Sequence, residues 1–554
     1  MDETWGYETD VLVVGSGGGG MTAALMAKDQ GNDALCIEKG RAYGGSTAMS
    51  GGTVWIPNNH LMKRAGCQDS AQEALQYLQS ITAGKVPEDR LRAYLASGPP
   101  MVEYLEKHSR LRFLIVRRQC DYYQNSKGAK PEGRSLEAMP LSVHKLDKGF
   151  GQMREYRMLP RVSLTVNEAV AMLDSSWRGR LRAVRVFARY YLNPTRSLAK
   201  GDTRLTTGNA LVARLRLSLA DRNIPVWLET SAQRLIVEAG RVIGIEATRY
   251  GSTMRIGARK AVILAAGGFA HNQAMREKYQ RQPVSTKWSV ASKDDSGDAI
   301  RMGIEIGAAL DFMDDAWWAS TSLVPGWPKP MVSIIERNLP GSIMVNALGK
   351  RFTNEAAPYS DVVKAQYANH WQEQHAIPAY LIIDSRFRSR YLTGPMMPGK
   401  TPKTFIDKGY IKVSDTLEGL GKQCGIDPAG LTAEVKMFNV NAAKGKDPDF
   451  GRGDSLLDRF YGDPSVKPNP CLRPLDNPPF YAVEMWPGDI GTKGGLRTDA
   501  QARVLREDGS SIDGLYAIGN CSSPVMGASY AGGGATIASS MVFGYIAALN
   551  IGKR

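Results

Sequence analysis

The residues Gly15-Ser16-Gly17-Gly18-Gly19-Gly20 satisfy the spacing G-x-G-x-x-G, directly after an apolar run and directly before an Ala-, Met- and Leu-rich stretch. In that setting glycines allow a tight turn and let backbone approach a pyrophosphate, whose charge is favoured by the free N–H groups of a helix start. Glu38 stands 23 residues after Gly15, at the end of the next apolar run, with Lys39 beside it. An acid there accepts hydrogen bonds from ribose hydroxyls and disfavours a 2′-phosphate. The bland alternative, a structural turn with an incidental surface Glu, is outweighed by the strand–turn–helix context. Farther along, Gly45, Ser46, Thr47, Ser50, Gly51 and Gly52 bring small side chains and hydroxyls to the segment after that acid, suited to a second phosphate or a flat ring. This addition points to FAD rather than NAD. The Ala266-Gly267 turn and the Gly519-Asn520 segment extend the same character.

A second group of residues is built on phenols. Residues 519–534 read GNCSSPVMGASYAGGG and lead into Ala535, Thr536 and Ile537, a helix opening. Tyr530 and the N–H groups of the following glycines, Gly534 among them, suit a clamp for a carbonyl or oxyanion. Residues 349–359 (GKRFTNEAAPY) end on Tyr359, and Asp121-Tyr122-Tyr123 precedes a Gly- and Lys-rich loop. A tyrosine of ordinary pKa, about 10, is a poor base at neutral pH and needs a hydrogen-bonding neighbour or a positive field. With 22 tyrosines in the chain, any one taken alone reads first as a packing residue; the motifs single out Tyr359 and Tyr530, and leave Tyr122 and Tyr123 as alternatives for a helper.

The elements that must position these groups follow from the apolar pattern. Residues 9–14 (TDVLVV) and 34–38 (ALCIE) read as buried strands around a helix that runs through Gln30. Together they make a βαβ unit with a parallel sheet. Residues 261–268 (AVILAAGG) and 514–519 (GLYAIG) read as further strands ending in glycine. The fold class is therefore α/β: a Rossmann-like FAD-binding domain with a parallel sheet, drawn from both ends of the chain, with an inserted α+β substrate domain. The expected division is 1–315 and 492–554 for the FAD domain and 316–491 for the insertion.

Composition bounds the rest. At 554 residues the chain exceeds one core, and 43% hydrophobic with 23% charged residues excludes disorder. Six scattered cysteines without C-x-x-C spacing argue against a metal site or a disulfide framework. Residues 1–10 carry four acids and no apolar run, so a cytoplasmic protein is expected. The net charge of +15 is concentrated in part in residues 177–200 (WRGRLRAVRVFARYYLNPTRSLAK), within a basic insert over about 172–200. As a helix it would put Arg178, Arg182, Arg185 and Arg189 on one face and Leu181, Val184, Phe187, Ala188 and Tyr191 largely on another. That suits the anionic inner face of the membrane over nucleic acid, for which no module accompanies the charge, with a basic helix packed on the body of the protein or in an oligomer interface as the alternative.

The glycine and tyrosine elements together resemble the 3-ketosteroid Δ1-dehydrogenase family, within the succinate dehydrogenase and fumarate reductase flavoprotein superfamily. The likeness spans nearly the whole chain and rests most on the Tyr-Ala-Gly-x-Gly turn and the Asn-Glu-x-x-x-Tyr element. It implies that Tyr530 and the Gly534 amide hold a steroid C3 carbonyl, that Tyr359 takes a proton from C2 with Tyr122 as helper, and that hydride passes from C1 to the flavin N5. An external electron acceptor completes the cycle. Superfamily members with covalent FAD carry a His in the region of Ser46 and Thr47, so non-covalent FAD is expected. Gly533 stands where the family often has Pro, which suggests a less rigid turn. The rivals are a 3-ketosteroid Δ4-(5α)-dehydrogenase or other enone reductase, and a flavin-bearing carrier without turnover.

Overall fold

Residues 9–14 bury an apolar run whose backbone must find partners on both sides, and they lie inside an eight-stranded sheet. The structure, a computed structural model, describes residues 4–146, 152–154, 162–197 and 202–553. Strand Tyr7–Val14 pairs in parallel with Ala34–Ile37 on one side and Ser252–Leu264 on the other. Beyond these lie the parallel strands Val226–Trp227 and Ser511–Ala517. A hairpin, Thr230–Glu238 and Arg241–Arg249, pairs antiparallel with the first half of Ser252–Leu264. The strands expected at 261–268 and 514–519 are the second half of Ser252–Leu264 and most of Ser511–Ala517.

Side chains alternate across the opening strand. Val11 and Val13 join one buried cluster with Met21 and Leu25, while Leu12 and Val14 join another with Ile245 and Ile300. Both faces are covered, as a parallel sheet requires. Helix Gly18–Asp29 lies on the first face and packs against the C-terminal helix Ala535–Gly552. That helix is long and apolar enough to cross a membrane, yet Ala538, Met541, Val542 and Ala547 are buried in the same cluster as Met21 and Leu25.

A six-stranded antiparallel sheet draws its strands from between Ala316–Ser322 and Phe480–Thr492, with Ala379–Asp384 and Ser342–Val345 stacked beside the latter. Parallel α/β and antiparallel α+β regions thus coexist, as the sequence predicts.

The basic insert forms helix Trp177–Tyr191, capped by Ser176 Oγ, which accepts from the Gly179 N–H at 3.3 Å. Its faces sort differently from the expectation. Phe187 turns inward with Val186 onto Val162, Leu164 and Tyr190, whereas Trp177 (70% exposed), Leu181, Val184 and Tyr191 (67%) face outward beside Arg178, Arg182, Arg185 and Arg189. Residues 198–200 of this segment fall outside the described residues.

Candidate active site

One cleft runs from the glycine turn to the tyrosines. At the turn, Gly15 has φ +114°, and a Cβ there would lie 2.3 Å from the Ala265 carbonyl oxygen; at Gly20 it would lie 2.0 Å from the Gly15 oxygen. Those two positions admit only glycine because backbone packs on backbone. Gly17 and Gly18 instead face Thr47, whose Oγ1 accepts the Gly18 N–H at 3.1 Å. Glu38 is nearly buried. Its Oε2 accepts from the Ser16 hydroxyl (2.6 Å) and N–H (3.3 Å), and its Oε1 accepts from the Gly40 N–H (2.9 Å). The carboxylate is thereby fixed on the cleft wall with lone pairs to spare for a ribose. Lys39 lines the cleft too, but its ammonium is engaged by Asp298 (2.7 Å) and Ser296.

The small-residue segment forms the adjoining wall. Ser46 Oγ donates to Asp295 Oδ2 at 3.0 Å and accepts from the Ser292 N–H at 2.9 Å. Burial pushes the Asp295 carboxyl up to about 7. Ser50 Oγ donates to the Thr47 carbonyl (2.6 Å) and accepts from the Gly52 N–H (3.0 Å). Gly45, Gly51, Ala266, Gly267, Gly519, Asn520 and Ile537 also line the cleft. Ala535 does not: it is buried at the helix start, its N–H bonded to the Gly532 carbonyl at 3.1 Å. A helix N-terminus, a fixed carboxylate and a long small-residue wall fit a dinucleotide carrying a flat ring, and these residues would hold FAD.

At the far end three phenols converge. Ring centroids lie 5.8 Å apart for Tyr122 and Tyr359, 5.3 Å for Tyr122 and Tyr530, and 5.1 Å for Tyr359 and Tyr530. Tyr359 is the first residue of helix Tyr359–Asn369, placed by Pro358 before it. The Tyr530 hydroxyl accepts from Thr536 Oγ1 at 3.1 Å, and the Trp317 ring packs edge-on 4.9 Å away. Tyr123 points elsewhere, its hydroxyl donating to Asp361 Oδ1 at 3.2 Å. The glycine turn is held despite lacking a proline. Tyr77 hydroxyl (2.6 Å) and the Tyr122 N–H (3.0 Å) donate to the Ala531 carbonyl, and Ser135 Oγ donates to that of Gly533 at 2.8 Å. Gly534 has φ +99°, and a Cβ there would meet Thr53 backbone at 2.5 Å.

Burial pushes the Tyr359 phenol well above its ordinary value, with Tyr122 and Tyr530 adding to the rise. Burial does the same to Tyr122, and raises Tyr530. The resting hydroxyls therefore keep their protons, and a base built from them must shed a proton as it takes one. Sequence reasoning missed Tyr461, which lines the same cleft as Tyr122 and is itself pushed up to about 12 by burial. It missed Trp317, and it missed an apolar stretch of wall formed by Val166, Ala169, Val170, Trp327, Pro330 and Met331. No local motif marks any of these; the fold alone brings them together.

Comparison with known proteins agrees with this geometry. The FAD binding domain family matches residues 10–537. The chain is 44% identical to the 3-oxosteroid 1-dehydrogenase of Mycobacterium tuberculosis strain H37Rv over 99% of both chains, and 44% identical to that of Mycolicibacterium smegmatis over 99% of this chain and 97% of the other. The crystal structure of the 3-ketosteroid Δ1-dehydrogenase from Sterolibacterium denitrificans, in complex with 1,4-androstadiene-3,17-dione, superposes with a TM-score of 0.96 at 45% identity and 99% coverage of each chain. FAD is accordingly the cofactor, and the chain belongs to the 3-ketosteroid Δ1-dehydrogenase family of FAD-binding flavoproteins.

Proposed function

We propose that this chain catalyses the 1,2-desaturation of 3-oxosteroids, turning a 3-oxo-4-ene into a 3-oxo-1,4-diene, as part of steroid breakdown. The observation that carries the reading is the convergence of Tyr122, Tyr359 and Tyr530 at one end of the FAD cleft, each ring within 6 Å of the other two. The Tyr530 hydroxyl and the Gly534 N–H donate to the C3 carbonyl oxygen. That polarisation makes the C2 proton more acidic and stabilises the developing enolate. Tyr359 takes the C2 proton, and Tyr122 relays it onward. When bound, FAD supplies the acceptor for the hydride lost from C1.

The division into an FAD unit (1–315 and 492–554) and a substrate-covering unit (316–491) is part of the same proposal, supported by the separate parallel and antiparallel sheets. So is the placement of the enzyme in the cytoplasm, docked on the anionic inner face of the membrane through helix Trp177–Tyr191 and passing its electrons to an external acceptor. The apolar wall at Val166, Ala169 and Val170, directly before that helix, favours substrates with long apolar side chains.

The test is anaerobic mixing of the FAD-loaded protein with a 3-oxo-4-ene steroid, beside Tyr359→Phe and Tyr530→Phe. Bleaching of the oxidised flavin band with a 1,4-diene product is expected. Loss of one carbonyl donor in Tyr530→Phe should slow bleaching about 100- to 1,000-fold, and Tyr359→Phe should slow it at least as much. A product unsaturated only at C4–C5 from a saturated steroid would favour the Δ4-dehydrogenase, and no bleaching by any 3-oxosteroid would leave a carrier protein.

A further inference from the structure

Behind the tyrosines lies a buried guanidinium that this chemistry does not yet use. Arg337 is 1% exposed, in the short turn Glu336–Asn338. Its Nε donates to the Ser333 carbonyl at 3.2 Å. Its Nη1 donates to the carbonyls of Glu355 and of Ala357, the latter at 3.0 Å, four and two residues before Tyr359. No carboxylate lies within ion-pair distance of it among the described residues. The nearby Glu355 carboxylate is taken by Arg351 (2.7 Å) and Arg452 (3.2 Å), and Asp447 is taken by Arg351 (2.8 Å). A buried cation is costly without a paired anion, so a guanidinium met by carbonyl oxygens and facing phenols calls for a reason.

We propose that Arg337 is a positioning residue for the proton-abstracting tyrosine: it fixes the two carbonyls leading into Tyr359 and sets a buried positive charge beside Tyr461 and Tyr122. The charged and titratable groups facing it are Glu336, Tyr461, Arg452 and Tyr122. Burial lowers its own pKa to about 10, which leaves it charged at neutral pH. Its field draws the Tyr461 phenol down against the effect of burial and acts directly on Tyr122, whose ring centre lies 5.8 Å from that of Tyr359. The positive field that a tyrosine base requires is supplied here by a residue that need not touch substrate.

This inference rests on the assignment of Tyr359 as the base. The experiment compares FAD-loaded wild type, Arg337→Gln, Arg337→Lys and Tyr359→Phe, reading kcat against pH, KM, and the isotope effect with substrate deuterated at C2. For Arg337→Gln, kcat is expected to fall about tenfold or more, KM to stay within about threefold, the rising limb of the pH profile to move to higher pH, and the C2 isotope effect to grow. Arg337→Lys, which keeps the charge, should hold the limb near its wild-type position. A wild-type pH profile and isotope effect in Arg337→Gln, with Tyr359→Phe inactive, would overturn the role of Arg337 alone. An active Tyr359→Phe would instead overturn the underlying assignment. If Arg337→Gln fails to fold or to retain FAD, Arg337→Lys decides: a reduced kcat with KM and the limb near wild type supports the role, because the charge stays while the hold on the Glu355 and Ala357 carbonyls loosens, and a limb displaced upward, or a wild-type kcat, overturns it.

Discussion

Asp295 sits inside the cofactor cleft with its carboxyl pushed up to about 7. Burial is the main cause; the Ser46 hydrogen bond lowers it, Glu38 adds to the rise, and Lys39 and Arg154 oppose it. An unfolded aspartate titrates near 4. Between these values the folded chain holds a proton that the unfolded chain has lost, so this contribution to stability is full at low pH and is lost as pH rises through about 7. Asp295→Asn stays neutral throughout. Its thermal midpoint minus that of wild type should therefore grow by several degrees between pH 5 and pH 7 and level off above; parallel curves across that range would refute the assignment. At this scale the sequence is legible where chemistry is local. Gly15, Gly20 and Glu38 declare themselves because a tight turn and the acid that braces it sit within one βαβ unit. Tyr461 and Asp295 do not, because side chains they meet come from segments a hundred or more residues away, and Arg337 does not, because its reach to the Glu355 and Ala357 carbonyls depends on how the chain folds back. Tyr122 and Tyr123 stay equivalent until the backbone turns one ring toward Tyr359 and the other toward Asp361.

Helix Gly18–Asp29 shows how closely an element can depend on one hydrogen atom. A methyl at Gly20 would meet the Gly15 carbonyl oxygen at 2.0 Å, whereas at Gly17 the nearest atom is Thr47 Oγ1 at 3.7 Å. Gly20→Ala must push the helix off the turn that feeds it, at a cost of about 1–3 kcal/mol, and should purify with less FAD and a lower melting temperature. Gly17→Ala should melt close to wild type, so equal melting of the two variants would rule out the packing argument. The helix itself was predictable from its glycines and its Ala- and Leu-rich body. The orientation of helix Trp177–Tyr191 was not: its period shows in the sequence, but the inward side is chosen by Val162 and Leu164, which precede the helix and offer Phe187 its contact.

Across the whole molecule, the outward stripe of Trp177, Leu181, Val184 and Tyr191 with its flanking arginines adjoins the helix whose Val166, Ala169 and Val170 line the cleft. The protein is expected to sediment with phosphatidylglycerol vesicles, weakly with phosphatidylcholine vesicles, and less at high salt. Trp177→Asp with Leu181→Asp should abolish sedimentation while steroid-driven bleaching in detergent persists; unchanged sedimentation of the double variant would exclude this helix as the contact. The α/β class was legible because the strands at 9–14, 34–38, 261–268 and 514–519 each carry their own apolar run. The pairing of Ser252–Leu264 with both Tyr7–Val14 and Ser511–Ala517 was not, because it depends on segments some 250 residues apart. That assembly has a consequence for birth order. Gly15 emerges from the ribosome ahead of Gly534, and at about 5–20 residues per second roughly 25–100 s separate them. Until strand Ser511–Ala517 and the turn after it arrive, the nascent chain has a glycine turn without a finished pocket. Capture of FAD in a finished pocket, and with it the protection of the apolar face of helix Gly18–Asp29 that Ala535–Gly552 later covers, thus waits on these later segments rather than following the glycine turn.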